Sequence, residues 1–127
     1  MKNFTVKTEI TSEKLAGLLC SAFEGGVGYW CKIKGYRKPR TEVKPTLSGQ
    51  KIYNYIDFPL QGGAVVCEDF YANDKVHRLD GKTIAQGLQV LSAKYPKHFS
   101  DFLQDNYDAN TGDAFVQCCF FGEVLYG

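Results

Sequence analysis

The residues best suited to chemistry lie between positions 24 and 40, in the stretch EGGVGYWCKIKGYRKPR, where aromatic and basic side chains are interleaved. Three aromatic residues, Tyr29, Trp30 and Tyr36, offer flat surfaces on which a base can stack. The cations that can neutralise phosphates are Lys32, Lys34, Arg37, Lys38 and Arg40 in this stretch and Lys44 just beyond it. A single-stranded nucleic acid or a nucleotide requires stacking and neutralisation together. This stretch is therefore the first candidate binding site.

The net charge of +1 conceals an uneven distribution of charge along the chain. Residues 32–51, named here the basic segment, contain seven basic residues against one acid, Glu42. Residues 100–127, named here the acidic end, contain no Lys or Arg and five acids, which are Asp101, Asp105, Asp108, Asp113 and Glu123. A partner can meet either end. The basic segment would bind nucleic acid or a phosphate ligand, whereas the acidic end would imitate nucleic acid and block a basic groove on another protein.

General acid–base catalysis is a second kind of chemistry, and it needs a base and a carboxylate facing one cleft. The sequence VHRLD supplies His77 and Asp80, and Glu24 is a further candidate carboxylate. In the structural interpretation Asp80 caps a helix and the residues before it lie exposed on a strand. Because no second motif supports catalysis, the sequence favours a protein that is not an enzyme. The alternative is a small enzyme acting on a phosphorylated metabolite or nucleotide.

The five cysteines predict free thiols, because their number is odd and their neighbours are apolar: Cys20, Cys31, Cys67, Cys118 and Cys119. Free thiols are typical of a reducing cytoplasm, where we expect this chain to act. No Cys-x-x-Cys pair is present, so the sequence predicts neither a metal site nor a cofactor. No apolar run is long enough to cross a bilayer, so we expect no membrane partner.

Hydrophobic periodicity predicts the elements that must position these residues. Alternating apolar residues predict strands at 4–10, 27–33, 51–58 and 62–70, with a short extended piece at 76–79. Apolar stripes at helical spacing predict helices at 15–23, closed by Gly25 and Gly26, and at 84–95, capped by Asp80. Pro96 opens a further turn. The last helix starts at Asn110 or Thr111, is apolar almost all round and ends at Gly122.

The order β-α-β-β-β-α-α predicts one α+β domain over residues 1–127. We expect an antiparallel sheet of about four strands with helices packed on one face. Residues 35–50 hold two prolines and most of the positive charge, and they are predicted to form a mobile basic loop.

The segments LLCSAFEGGVGYWCKI and DAFVQCCFFGEVLYG resemble small, uncharacterised proteins encoded by phages and prophages. The positions that match are Glu24, Gly25, Gly26, Tyr29, Trp30, Gly122, Glu123 and Gly127. Small phage accessory proteins often inhibit host defence, as anti-CRISPR proteins or as sponges for signalling nucleotides. The resemblance thus implies a non-catalytic inhibitor that occludes a nucleic-acid, nucleotide or effector-protein site in the host bacterial cytoplasm. A third alternative is a self-assembling structural accessory protein, in which exposed aromatic residues mediate contacts between copies.

Overall fold

The computed structural model describes residues 3–127 of the chain, which form an α+β fold. The strands are β1 (Cys31–Arg37), β2 (Ala64–Asp69) and β3 (Lys75–Leu79). The α-helices are α1 (Ser12–Ser21), α2 (Asn54–Leu60), α3 (Gly81–Lys94), α4 (Pro96–Leu103) and α5 (Ala109–Phe121), and a π-helical turn, Ala22–Gly26, continues α1. The strands form one antiparallel sheet in the order β1-β2-β3. The predicted fold class is confirmed, with three strands in the described residues instead of about four.

The N-terminal strand predicted at residues 4–10 is wrong, because this segment forms no strand in the structure. Phe4 and Val6 are 91% and 90% exposed, so neither packs into the core. Alternation assigns side chains to two faces, but it supplies no neighbouring strand to pair with.

The strand predicted at residues 51–58 is also wrong, because α2 begins at Asn54. Asp57 lies in the first turn of α2, where a carboxylate complements the helix dipole. Its side chain also accepts a hydrogen bond of 2.7 Å from the backbone N–H of Tyr53, the residue before the helix. The apolar residues of this short segment fit both periods, so periodicity does not separate helix from strand here.

The three cations of β1 are all exposed, and they are Lys32, Lys34 and Arg37. Cys67 pairs with Ile33 and with His77, and this face is buried against α5 through the contact of His77 with Phe120. The neighbouring row contains Lys32, Glu68 and Val76, and it faces outward. A bulge between Ile33 and Gly35 shifts the register in the middle of β1. β1 begins at Cys31 and continues to Arg37, so the basic loop starts at Lys38, later than predicted.

α5 is the central element of the core, as its apolar composition predicts. It is buried from Thr111 to Cys119, and it ends, as predicted, at Gly122 with a left-handed φ of 72°. Its first residue is Ala109, one residue before the predicted Asn110, and its N-cap is Asp108. Gly25 and Gly26 were predicted to close the first helix, but a π-helical turn continues the helix through both, and neither has the positive φ that a glycine cap adopts. Gly26 has another role. Its glycine is required for packing, because a Cβ there would lie 2.5 Å from the carbonyl oxygen of Ala109.

Candidate functional site

The cations of the basic segment all lie on the surface. Three of them are on β1, and the other four follow it: Lys32, Lys34 and Arg37, then Lys38, Arg40, Lys44 and Lys51. Of these seven cations, only Lys32 has an acidic partner within residues 3–127, which is Glu68 at an N–O distance of 4.0 Å. The positive charge of this segment is thus available to a ligand.

The three aromatic residues of the candidate site have different environments. Trp30 is completely buried, and its Nε1 donates a hydrogen bond of 2.7 Å to Oδ1 of Asp113. Trp30 is therefore a core residue and is removed from the candidate site. Tyr29 is 46% exposed, and burial together with its hydrogen bond to Asp113 raises the pKa of Tyr29 to about 12. Tyr36 is 39% exposed and its ring packs edge-on against Phe58, at 6.2 Å between centroids.

A cavity of about 480 Å³ opens beside the basic segment, between the loop and α2. Its lining residues are Lys38, Pro39, Thr41, Val43, Ile52, Asn54 and Phe58. Of these, sequence reasoning identified only Lys38. The others carry no signal in the sequence, because they come together only when the loop returns to α2.

Two side chains hold the loop around the cavity, Asp57 within α2 and Gln61 at the C-terminal end of α2. Asp57 is 1% exposed, and its Oδ1 accepts hydrogen bonds from the N–H and the hydroxyl of Thr46, at 2.8 Å and 2.6 Å. Its Oδ2 accepts from the N–H of Tyr53. The side chain of Gln61 accepts from the N–H of Lys44 at 3.0 Å and donates to the carbonyl oxygen of Lys44. These bonds satisfy a buried carboxylate and fix the backbone on both sides of the cavity. The predicted mobility of the loop stays a prediction.

The acidic end is divided between core, cap and surface. Asp113 is 8% exposed and belongs to the core, which corrects its assignment to an acidic surface. Asp108 caps α5, and the hydrogen bond from the N–H of Thr111 lowers the pKa of its carboxyl. Asp105 lies 3.6 Å from Nζ of Lys14. Of the five acids of the acidic end, Asp101 and Glu123 have no side-chain partner in the part of the chain that the structure describes.

The candidate acid–base residues Glu24, His77 and Asp80 do not form a site. Glu24 accepts a hydrogen bond from the hydroxyl of Tyr55 at 3.0 Å. Asp80 caps α3 through the N–H of Thr83, which confirms its predicted structural role. The ring of His77 stacks on Phe120 at 4.9 Å. No hydrogen bond joins any two of the three among residues 3–127.

His77 makes the stability of the fold depend on pH. Burial lowers the pKa of His77 below 6.5, the positive charge of Lys75 lowers it further and Asp69 opposes both. The Nε2 atom is buried without a hydrogen-bond partner. Below about pH 6.5 the unfolded chain takes up a proton at this position while the folded protein does not. The free energy of unfolding therefore falls as the pH drops from there to the folded-state pKa.

Replacing His77 by phenylalanine is expected to remove this part of the pH dependence. Phenylalanine keeps the stacking on Phe120 and has no group to protonate. Urea denaturation at about pH 5 and about pH 7.5 measures the loss of stability in each protein. The loss should be smaller in the variant, and equal losses in the two proteins would show that His77 does not contribute.

The described cysteines are free, as predicted, and four of the five are buried. Burial raises the pKa of Cys118 to about 11, which disfavours a nucleophilic thiolate. Among residues 3–127, no three His, Cys, Asp or Glu side chains are grouped closely enough to hold a metal ion. No helix in the same range has the length and hydropathy needed to span a membrane.

No protein-family model, curated protein or solved structure matches this chain.

Proposed function

We propose that this chain is a non-catalytic binding protein whose basic segment binds a phosphate-bearing ligand, either nucleic acid or a nucleotide. The observation that carries the proposal is the exposure of all seven cations of the segment beside a cavity of about 480 Å³. Seven exposed cations within twenty residues can neutralise phosphates and release counterions. A loop fixed by Asp57 and Gln61 loses little conformational entropy on binding.

Two of the other interpretations, an acidic imitation of nucleic acid and a small enzyme, have less support. Imitation of nucleic acid by the acidic end requires exposed carboxylates, but Asp113 is buried and Asp108 is used as a helix cap. Acid–base catalysis requires that Glu24, His77 and Asp80 face one cleft, and each instead contacts a different neighbour. The basic segment keeps all of its cations at the surface.

Binding at this surface would inhibit an effector by withholding the nucleic acid or nucleotide that the effector needs. A bound nucleic acid or signalling nucleotide is no longer available to the effector that uses it. The resemblance of residues 24–30 and 122–127 to small phage and prophage proteins suggests that the effector belongs to a host defence system in the bacterial cytoplasm. The abundance of free cysteines supports a reducing compartment.

Neutralising Arg37, Lys38 and Arg40 together by glutamine is expected to weaken binding of single-stranded DNA at least about tenfold at low salt. The measurement is fluorescence anisotropy with a labelled strand of roughly a dozen nucleotides. The matched control replaces Lys75, Lys82 and Lys97 by glutamine, which are exposed lysines outside the segment.

The control changes the net charge by the same amount, so it separates a local surface from a general effect of charge. The proposal predicts that the control binds nearly as well as the unmodified protein. An equal loss in both variants, or no loss in either, would contradict it.

A further inference from the structure

We propose that the cavity between the loop and α2 holds one unpaired nucleobase, while the neighbouring cations bind its phosphate. The inference rests on the proposed function of the basic segment and narrows its ligand. The shared chemistry is a flat base joined to a phosphate, from either a single-stranded nucleic acid or a free nucleotide. A duplex does not present such a base, because its bases are stacked and paired.

The size and the walls of the cavity fit a base. Its volume of about 480 Å³ lies within the range of small-ligand sites. Four apolar side chains line it, two from the start of the loop and two from its return into α2: Pro39, Val43, Ile52 and Phe58. A base is bound through apolar contacts to its two faces. Two separate stretches of chain supply such contacts here.

The polar lining residues add the groups that a base and a phosphate require. The amide of Asn54 offers a donor and an acceptor, the combination needed at a base edge. Neither Asn54 nor Thr41 makes a side-chain hydrogen bond within residues 3–127, so both groups remain available. Lys38 lines the same cavity and has no acidic partner in that range. A base inserted between the walls would bring its phosphate toward this ammonium.

The cavity is held open before any ligand arrives. Val43 precedes Lys44, whose N–H and carbonyl are both hydrogen-bonded by Gln61. Ile52 and Asn54 flank Tyr53, whose N–H is bonded by Asp57. Both walls are therefore fixed at positions adjacent to their lining residues, which reduces the entropic cost of binding.

The test compares a single strand of roughly a dozen nucleotides with an abasic strand of the same length and charge, and with a duplex. Stacking of one base predicts that the unmodified protein binds the normal strand at least about fivefold more tightly than the abasic strand. Val43→Trp fills the cavity and should abolish this preference without changing the affinity for the abasic strand. Val76→Trp, the same substitution at an exposed site of β3, should leave the preference intact.

Asn54→Ala carries the test if Val43→Trp does not fold, because Asn54 is exposed and makes no side-chain hydrogen bond in residues 3–127. Adenosine monophosphate should bind more tightly than inorganic phosphate whichever source supplies the base, and equal binding of the two would contradict the base site. A monophosphate that binds as tightly as the single strand would identify a free nucleotide as the ligand, whereas a strand that binds much more tightly would identify the polymer. Equal affinities for normal and abasic strands, or for strand and duplex, would overturn the base site and leave the basic segment standing. Failure to bind any of these probes would instead contradict the proposed function itself.

Discussion

Replacing Asp113 by alanine is expected to lower the free energy of unfolding by about 2–4 kcal/mol, because it removes the acceptor of buried donors. The carboxylate of Asp113 accepts hydrogen bonds from the hydroxyl of Tyr29 at 2.6 Å, from Nε1 of Trp30 at 2.7 Å and from Nε2 of Gln117 at 2.9 Å. Trp30 and Gln117 are fully buried, so alanine would leave their donors without the acceptor that Asp113 supplies. Urea denaturation monitored by the fluorescence of Trp30 measures the loss.

Glu123→Ala is the matched control for this prediction. Glu123 also belongs to the acidic end, but it is exposed and has no side-chain partner among residues 3–127. Its replacement should change the free energy of unfolding by less than about 0.5 kcal/mol. Similar effects of the two substitutions would mean that Asp113 is not a buried acceptor, and the acidic surface would again be a candidate interface.

The hydrogen bonds of Asp113 connect the core to the strand that carries the cations. Tyr29 and Trp30 lie just before β1, so their bonds to Asp113 fix the start of β1 against α5. Gln117 extends the network, since its Oε1 accepts from the N–H groups of Leu125 and Tyr126. The position of β1 thus depends on the carboxylate of Asp113 in α5. Residues 29 and 30 serve this structure more than they serve binding.

Replacing Asp57 by asparagine is expected to weaken binding of single-stranded DNA by about tenfold or more, although the variant is more positive. Charge alone predicts the opposite sign, since removing an acid near seven cations strengthens attraction to phosphates. Asparagine retains one acceptor oxygen, but its NH₂ group cannot accept the bond that Thr46 or Tyr53 now donates. The loop would lose its fixed position, and the free energy of unfolding should fall by about 2–3 kcal/mol.

Glu42→Gln provides the control, because Glu42 lies in the loop that Asp57 holds from α2. Its replacement makes the same change in charge as Asp57→Asn. Glu42 is exposed and makes no ion pair within the described residues, so only electrostatics should change. We expect this variant to bind as tightly as the unmodified protein, or slightly more tightly. If Asp57→Asn bound as well as Glu42→Gln, the position of the loop would not matter for binding.

The elements with a single strong period were predictable from the sequence. α1, α3 and α5 have apolar residues at spacings that only a helix buries on one side or all round. The segment that forms α2 is too short for hydrophobic periodicity to distinguish a helix from a strand. Its helical structure depends on Asp57, which is hydrogen-bonded to Thr46 and Tyr53. Because the bonds to Thr46 form only when the loop returns to α2, neither α2 nor the cavity beside it was predictable.

The cations of the candidate site were identified from the charge pattern of the sequence. The burial of Trp30 and Asp113 was not predicted. Exposure of cations such as Arg37 and Lys38 is the default, because burying an unpaired charge is costly. The same cost applies to Asp113, which lies within a nearly continuous apolar helix. If this acid is buried, it must be hydrogen-bonded. That contrast is visible in GDAFVQCCFF and indicates that Asp113 needs a hydrogen-bond donor if it is buried. Which donor supplies it depends on the packing of β1 against α5.

The most direct test of the account is the salt dependence of binding to single-stranded DNA, measured between about 50 and 200 mM salt. Each phosphate contact contributes a slope of about −0.7 to the logarithm of the binding constant against the logarithm of salt concentration. We expect a steep negative slope for the unmodified protein and a slope shallower by about 2 when Arg37, Lys38 and Arg40 are replaced by glutamine. A slope that these three substitutions leave unchanged would show that the basic segment does not bind the phosphates.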